Sequence, residues 1–334
     1  MEVLVTGGTG FVGSHLIEQL RAQGDSVRTL VRPTSDRALV ESLGAEIVVG
    51  DLDDFDSLCR ACAGRETVYH SAARVEMVGT EAEFQRTTVA GTERLLAAAG
   101  AAGVRRFVHL SSCAVYHPAL FATGRIIDER TPTPQPPRWV PYGRAKLRAE
   151  QVVRETCSPE MEWTIVRLGY LYGPRNRTMR TYVEPAMRDS TMRIIGDGQN
   201  ELAFVYVTDV VRAVALAGRC AEAAGQILIA GGNDRVTQQQ YFDAMADGFG
   251  IPRITRRIPY RLAYFFGWLG ERLVRGGSRQ AVLRRSAIAL TGLPQRLRCD
   301  QTQRLLGWRP QVRFEEGIRA AFAWYHSEYG RPET

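Results

Sequence analysis

The chain opens on a short apolar run, Glu2 to Thr6 (EVLVT). Glycines follow at once, then apolar residues at helical spacing: Leu16, Ile17 and Leu20. That order reads as a buried strand, a tight turn and an amphipathic helix. The pattern recurs. Ser26 to Val31, Glu46 to Val49, Thr67 to His70, Arg106 to Ser111 and Trp163 to Leu168 each read as strands, with helical stretches such as Glu81 to Gly103 between them. Short strands alternating with helices predict right-handed βαβ units and a parallel sheet. After Gly173-Pro174 the pattern loosens, and Met192 to Ile195, Phe204 to Val207 and Gln226 to Ile229 are short strand candidates. The expectation is an α/β chain: a Rossmann doubly wound parallel sheet over residues 1–172, then a second, smaller α/β substrate domain over 173–334. The chain is expected to return to the sheet around 203–232.

Composition narrows the classes. At 334 residues, 45% hydrophobic and 24% charged, the chain carries a sizeable core and is neither disordered, collagen-like nor stapled by disulfides. No apolar run approaches the roughly 20 residues that a membrane-spanning helix needs. The first residues lack the basic start and apolar stretch of a signal peptide, so a cytoplasmic protein is expected. Six cysteines are scattered. Cys59 and Cys62 form a lone CxxC in a helical stretch, which reads as packing rather than as a metal site. The net charge of +7 is uneven: Ile251 to Asp300 holds eleven arginines against Glu271 and Asp300, leaving the remainder at −2. No nucleic-acid-binding module accompanies that charge.

Thr6 to Gly13 (TGGTGFVG) places G-x-x-G-x-x-G after a strand and at the mouth of a helix. Gly7 permits the turn, Gly10 admits a pyrophosphate close to the backbone, and Gly13 lets helix and strand pack. The helix start at Thr9, Phe11 and Val12 offers unpaired N–H groups to the anion. At the end of the second strand, where a carboxylate would select NAD, the chain reads Val31-Arg32-Pro33, with Arg28 and Arg37 nearby. A guanidinium there suits a 2′-phosphate, so NADP is favoured over NAD. Asp51 and Leu52 are placed to flank the adenine, and Ala72 and Ala73 offer small residues where a cofactor would pass.

Tyr142-Gly143-Arg144-Ala145-Lys146 is a Tyr-x-x-x-Lys, which puts phenol and ammonium on one helix face. The cation is expected to lower the tyrosine pKa and fit it for acid/base work, while Lys146 also holds the ribose. Ser111 and Ser112 end the fifth strand at its carboxyl edge, where open parallel sheets place ligands.

With these motifs the chain resembles an extended short-chain dehydrogenase/reductase of the NAD-dependent epimerase/dehydratase and 3β-hydroxysteroid-dehydrogenase-like group. TGGTGFVG, GDL at Gly50 to Leu52, HSAA, HLSSCAVY, YGRAK, RLGYLYGP and VYVTDV carry the likeness. LVRPTSDR at Leu30 to Arg37 is similar to hopanoid-associated sugar epimerase-like members. The resemblance implies catalytic Ser112, Tyr142 and Lys146, a small-molecule substrate and a homodimer. Three departures bear on that substrate. Thr88 stands where the family often has Asn, Tyr170 where an Asn would contact a nucleotide, and Leu202-Ala203 where Arg-Asp often sits. Two polar ligands for a nucleotide diphosphate are thus replaced, which points to an apolar or non-nucleotide substrate. Arg175, with Arg177, Arg180 and Arg193, remains a candidate for an anionic group.

The leading expectation is an oxidoreductase interconverting a secondary alcohol and a ketone. A nucleotide-sugar 4-epimerase or dehydratase with retained cofactor is the alternative, and a non-catalytic dinucleotide sensor a third reading. For residues 258–274 (IPYRLAYFFGWLGERLV) three readings stay open: a helix contacting a membrane surface, a lid over an apolar pocket, or an ordinary helix with a core-facing apolar side.

Overall fold

A computed structural model describes residues 1–75, 79–189, 191–273 and 284–330. Seven strands form one sheet: β1 (Glu2–Thr6), β2 (Ser26–Val31), β3 (Glu46–Val49), β4 (Thr67–His70), β5 (Arg106–Ser112), β6 (Glu162–Leu168) and β7 (Gln226–Ala230). Every neighbouring pair is parallel, in the order β7-β6-β5-β4-β1-β2-β3. The order reverses between β1 and β4. A crevice for a dinucleotide opens at such a point, outside the carboxyl ends of the strands.

Alternation along β1 shows how the layers are built. Val3 and Val5 join a core with Leu16, Ile17 and Leu20 of helix Phe11–Ala22 and with Val207, Val210 and Val214 of helix Val207–Ala217. Leu4 faces the other way, with Leu58, Val68, Leu95, Phe107 and Val152. On that second face lie helices Phe55–Cys62, Gly91–Ala101 and Pro141–Thr156. Cys62 is buried there as a small packing residue. A third, aromatic core gathers Tyr172, Phe204, Tyr206, Phe249, Phe314, Phe322 and Tyr325.

Gln226–Ala230 returns to the main sheet beside β6 and ends on three buried residues. The other late strands are shorter than their apolar runs suggest. Only Ile194–Ile195 pairs, with Arg257–Ile258, and Phe204–Tyr206 pairs with Tyr170–Tyr172 before Val207 starts a helix. The long helical stretch is also interrupted. A wide turn at Gln85–Ala90 separates Glu81–Phe84 from Gly91–Ala101.

The arginine-rich segment contains helix Tyr260–Leu273. Its small residues Ala263 and Gly267 are the buried ones, and Leu262, Phe265, Phe266 and Leu273 are about half exposed or more. Tyr260 and Tyr264 pack inward beside Ala263, onto Ile195 and Ile288, while the larger aliphatic and phenylalanine side chains face out. Gly267 lies so near Ile288 that a Cβ would approach its Cδ1 to 2.7 Å, so the close-packed side has room only for small residues. No helix among the described residues is long and apolar enough to cross a membrane.

Candidate active site

The first turn is built around backbone. Gly7 has φ +74°, and a Cβ there would come within 2.8 Å of the Ala72 nitrogen; one at Gly13 would meet the Gly7 carbonyl oxygen at 2.1 Å. Gly10 N–H donates to that carbonyl at 3.0 Å. Gly10 is also the N-cap of helix Phe11–Ala22, with no side chain capping the helix start. Gly10 is exposed, and Thr9, Phe11 and Val12 are half-buried. The amides at Phe11, Val12 and Gly13 are thus left to an outside acceptor, which fits a pyrophosphate.

A buried hydrogen-bond chain fixes the next strand end. Ala72 N–H donates to Thr6 Oγ1 (3.3 Å), and Thr6 Oγ1 meets His70 Nδ1 (2.8 Å). His70 Nε2 meets Thr92 Oγ1 (2.9 Å), which donates to the Thr88 carbonyl (2.6 Å). Because the Thr92 proton goes to that carbonyl, His70 carries its own proton on Nε2. Burial first, and the Lys146 charge second, push His70 down to about 3, so it stays neutral. Ala72 and Ala73 follow directly, half-buried.

At the adenosine end Arg32 is exposed, and its guanidinium has no hydrogen bond or ion pair among the described residues. Arg28 is occupied elsewhere: it pairs with Glu46 (2.9 Å) and donates to the carbonyls of Arg60, Ala61 and Ala63. Asp51 Oδ1 accepts the Asp53 amide at 3.0 Å, and Leu52 is buried under Gly91.

Helix Pro141–Thr156 carries the acid/base candidates. The proline-rich stretch before it ends with Pro141 at its first turn, where a missing N–H costs nothing. Gly143 is pressed against the loop after β5: a Cβ would lie 2.1 Å from the Ala114 carbonyl oxygen. That contact sets Tyr142 beside Ser112, whose hydroxyl acts on the phenol and accepts the Ala114 amide at 3.1 Å. Burial pushes Tyr142 up to about 12, and the Ser112 hydrogen bond pulls it back in part. The expected lowering by Lys146 does not arise from the chain's own groups. Lys146 is 3% exposed, donates to the Leu110 carbonyl at 2.7 Å, and is itself pushed down to about 8 by burial, with Glu150 opposing.

Sequence reasoning missed what lies beneath. Glu150 Oε1 accepts from Ser111 Oγ (2.6 Å) and Arg167 Nε (2.9 Å), and Oε2 accepts from Arg167 Nη2 (2.7 Å). Arg167 also donates to the Tyr116 hydroxyl, which donates to the Asp128 carbonyl. Glu150 and Arg167 are 0% and 3% exposed. Tyr142, Lys146 and Glu150 recur every four residues, and that spacing was the available signal.

The substrate candidates do not converge. Thr88 is buried, and its Oγ1 accepts the Arg74 amide at 3.3 Å. Arg175, at φ +66°, reaches Glu18 and His15 on the first helix. Tyr170 packs against Phe204 (5.7 Å between ring centroids), and Phe204 stacks on Tyr241 at 4.4 Å. The Tyr170 hydroxyl is buried without a hydrogen-bond partner among the described residues. Leu202 and Ala203 are buried beside it, the Ala203 carbonyl accepting the Tyr170 amide at 2.8 Å.

Comparison with known proteins gives the family. The model of the NAD dependent epimerase/dehydratase family matches residues 3–231. A 4-hydroxy-2-methyl-3-oxo-4-farnesyl-3,4-dihydroquinoline-1-oxide ketoreductase from Stigmatella aurantiaca is 31% identical, over 96% of this chain and 95% of its own. A 2-alkyl-3-oxoalkanoate reductase from Stenotrophomonas maltophilia is 27% identical, over 96% and 98%. Among solved structures, a double mutant of the dTDP-glucose 4,6-dehydratase DesIV from Streptomyces venezuelae, with NAD bound, is similar at a TM-score of 0.77 and 26% identity, over 99% of this chain and 98% of its own. The chain belongs to the NAD-dependent epimerase/dehydratase family, as an extended short-chain dehydrogenase/reductase.

Proposed function

We propose that the protein is an NADP-linked reductase interconverting an apolar ketone and its secondary alcohol. One observation carries the choice over a nucleotide sugar: where pyrophosphate ligands would stand, the chain places Tyr170 against Phe204, with Tyr241 stacked on that ring and Leu202 and Ala203 buried alongside. A diphosphate would lose its hydration there without a charged partner. The two ketoreductase relatives point the same way.

The Gly7–Gly13 turn and the amides of Thr9, Phe11 and Val12 hold the pyrophosphate, Arg32 the 2′-phosphate, and Asp51 and Leu52 the adenine side. Ala72 and Ala73 line the middle, and Lys146 takes the ribose hydroxyls. The bound nicotinamide supplies a hydride. Ser112 orients the carbonyl oxygen, and Tyr142 gives it a proton. Because burial holds Tyr142 protonated at neutral pH, the resting side chain is the acid that ketone reduction requires. Residues 1–172 form the cofactor-binding part and 173–334 the substrate side. The enzyme works as a homodimer in the cytoplasm.

The test is stoichiometry. A reductase consumes one external NADPH per ketone reduced. Turnover of a nucleotide sugar without net NADPH loss would replace this reading with the epimerase or dehydratase one, and cofactor binding with no turnover of any kind would leave the sensor. Tyr142→Phe abolishes turnover and leaves NADPH binding, followed by fluorescence, within about threefold. Arg32→Asp moves preference toward NAD, read as the ratio of kcat/KM values; an unchanged ratio rejects the 2′-phosphate role.

A further inference from the structure

Helix Tyr260–Leu273 has two apolar sides of different kinds. Ala263 and Gly267 turn inward onto helix Arg285–Gly292, with Ile288 beneath them. Leu262, Phe265, Phe266, Leu269 and Leu273 recur at i, i+3, i+4, i+7 and i+11, so they form one stripe. Four of these five are 45–72% exposed. Phe265 packs on Phe266 (5.9 Å) and stacks on Trp268 (5.9 Å), so the stripe is continuous with an aromatic rim. Single exposed apolar residues are ordinary on a protein surface; a contiguous stripe of large ones is not.

The charge around the stripe has one sign. Arg256, Arg257, Arg261 and Arg272 are exposed and have no ion pair among the described residues. Arg272 lies over the Trp268 ring at 4.5 Å, which places its charge beside the apolar stripe. The helix's one carboxylate, Glu271, is taken by Arg285 at 2.7 Å. A soluble protein partner would need an apolar groove ringed by acids, whereas an anionic bilayer offers both features over its whole area. The helix also has a fixed relation to the active site. Tyr264 meets Trp139 edge to face at 5.8 Å, and Arg285 lies over both rings, at 5.2 Å from Trp139 and 5.7 Å from Tyr264. Trp139 stands two residues before the helix that carries Tyr142.

We infer that this helix docks the enzyme on an anionic membrane surface. It lies in the interface with Leu262, Phe265, Phe266 and Leu273 among the acyl chains and the arginines at the headgroups. The inference rests on the apolar-substrate reading for its purpose: the lipid-facing helix touches Trp139 at the entry to the catalytic helix, so a ketone dissolved in the bilayer is drawn from the membrane toward the site.

The experiment is co-sedimentation of the full-length protein with phosphatidylcholine vesicles, with and without phosphatidylglycerol, and needs no ketone or cofactor. Binding is expected on the anionic vesicles and weak on the neutral ones. Arg261→Gln/Arg272→Gln lowers the partition about thirtyfold, from about 1 kcal/mol for each basic side chain near the surface. Phe265→Glu/Phe266→Glu abolishes it, while unchanged far-ultraviolet dichroism and unchanged reduction of a water-soluble ketone show an intact fold and site. No binding to anionic vesicles overturns the inference. So does equal binding to neutral ones, or a self-association that the phenylalanine variant removes in the absence of lipid. A failure of the reductase reading appears in the NADPH assay alone and leaves the vesicle result standing.

Discussion

Replacing Lys146 by methionine tests whether the site is held against the stability of the fold. The Lys146 ammonium is buried, with the Leu110 carbonyl as its direct partner and Glu150 one turn away. Burial lowers it from 10.5 to about 8. That gap corresponds to about 3 kcal/mol by which the charged form disfavours the folded chain. The sign follows from proton counting. Between pH 8 and 10.5 the unfolded chain binds more protons at this group, so its contribution to stability rises with pH across that window, and the penalty is complete below it. Methionine keeps the length, removes the charge and gives up the bond to Leu110, worth about 1 kcal/mol. The variant should therefore be about 2 kcal/mol more stable than the parent at pH 7. That advantage should shrink by about 2 kcal/mol at pH 9.5. Other groups contribute in the opposite sense at high pH: Cys62 and Cys113, pushed up to about 12 by burial, withdraw stability as the unfolded thiols ionise. Comparing the two proteins at each pH cancels them. Urea unfolding at pH 7 and 9.5 gives the numbers, and kcat/KM should fall by about a hundredfold or more. A variant less stable than the parent at pH 7, or a difference that does not move with pH, refutes the reasoning.

Two further substitutions probe the frame around the tyrosine. Glu150→Gln leaves the Arg167 cation buried beside a neutral amide, and should cost about 3 kcal/mol in urea unfolding; a loss below about 1 kcal/mol would mean that the pair is relaxed by water. Gly143→Ala drives a Cβ against the Ala114 carbonyl, so the phenol must part from Ser112. Turnover should drop about a hundredfold while NADPH affinity stays near that of the parent, and full turnover would show that the loop yields freely.

The parts of this molecule that could be read from the sequence are those where one local rule dominates. Strands β1 to β6 are short apolar runs between helices, and Gly13 is demanded by the Gly7 carbonyl six residues before it, although Gly7 also answers to the distant Ala72 backbone. The parts that could not be read depend on distant partners. Arg28 looked free for a phosphate, but Glu46 and three carbonyls, up to 35 residues away, claim it. Arg175 was a candidate for substrate until Glu18, 157 residues earlier, was placed beside it. For the arginine-rich helix the sequence left three readings open. The direction of its apolar stripe is decided by the close approach of Gly267 to Ile288, which the pattern of residues does not encode.

The level of helix Pro141–Thr156 against the sheet is the point on which the chemistry turns. Three polar side chains, at 142, 146 and 150, face the ends of β5 and β6 one turn apart: Tyr142 on Ser112, Lys146 on the Leu110 carbonyl, Glu150 on Ser111 and Arg167. Apolar packing alone tolerates sliding, because Leu147, Val152 and Val153 could find similar surface a fraction of a turn away. Buried charges do not. A shift of one turn, about 5.4 Å, would leave Glu150 and Arg167 both unpaired in the core. The ion pair at the third level therefore fixes the height of the phenol at the first, although Glu150 lies eight residues from it and both partners are buried. It follows that, if the proposed reaction is right, Glu150→Gln should lower kcat more than it raises KM, because on that reading ketone binding depends on the aromatic wall while proton delivery depends on where Tyr142 stands.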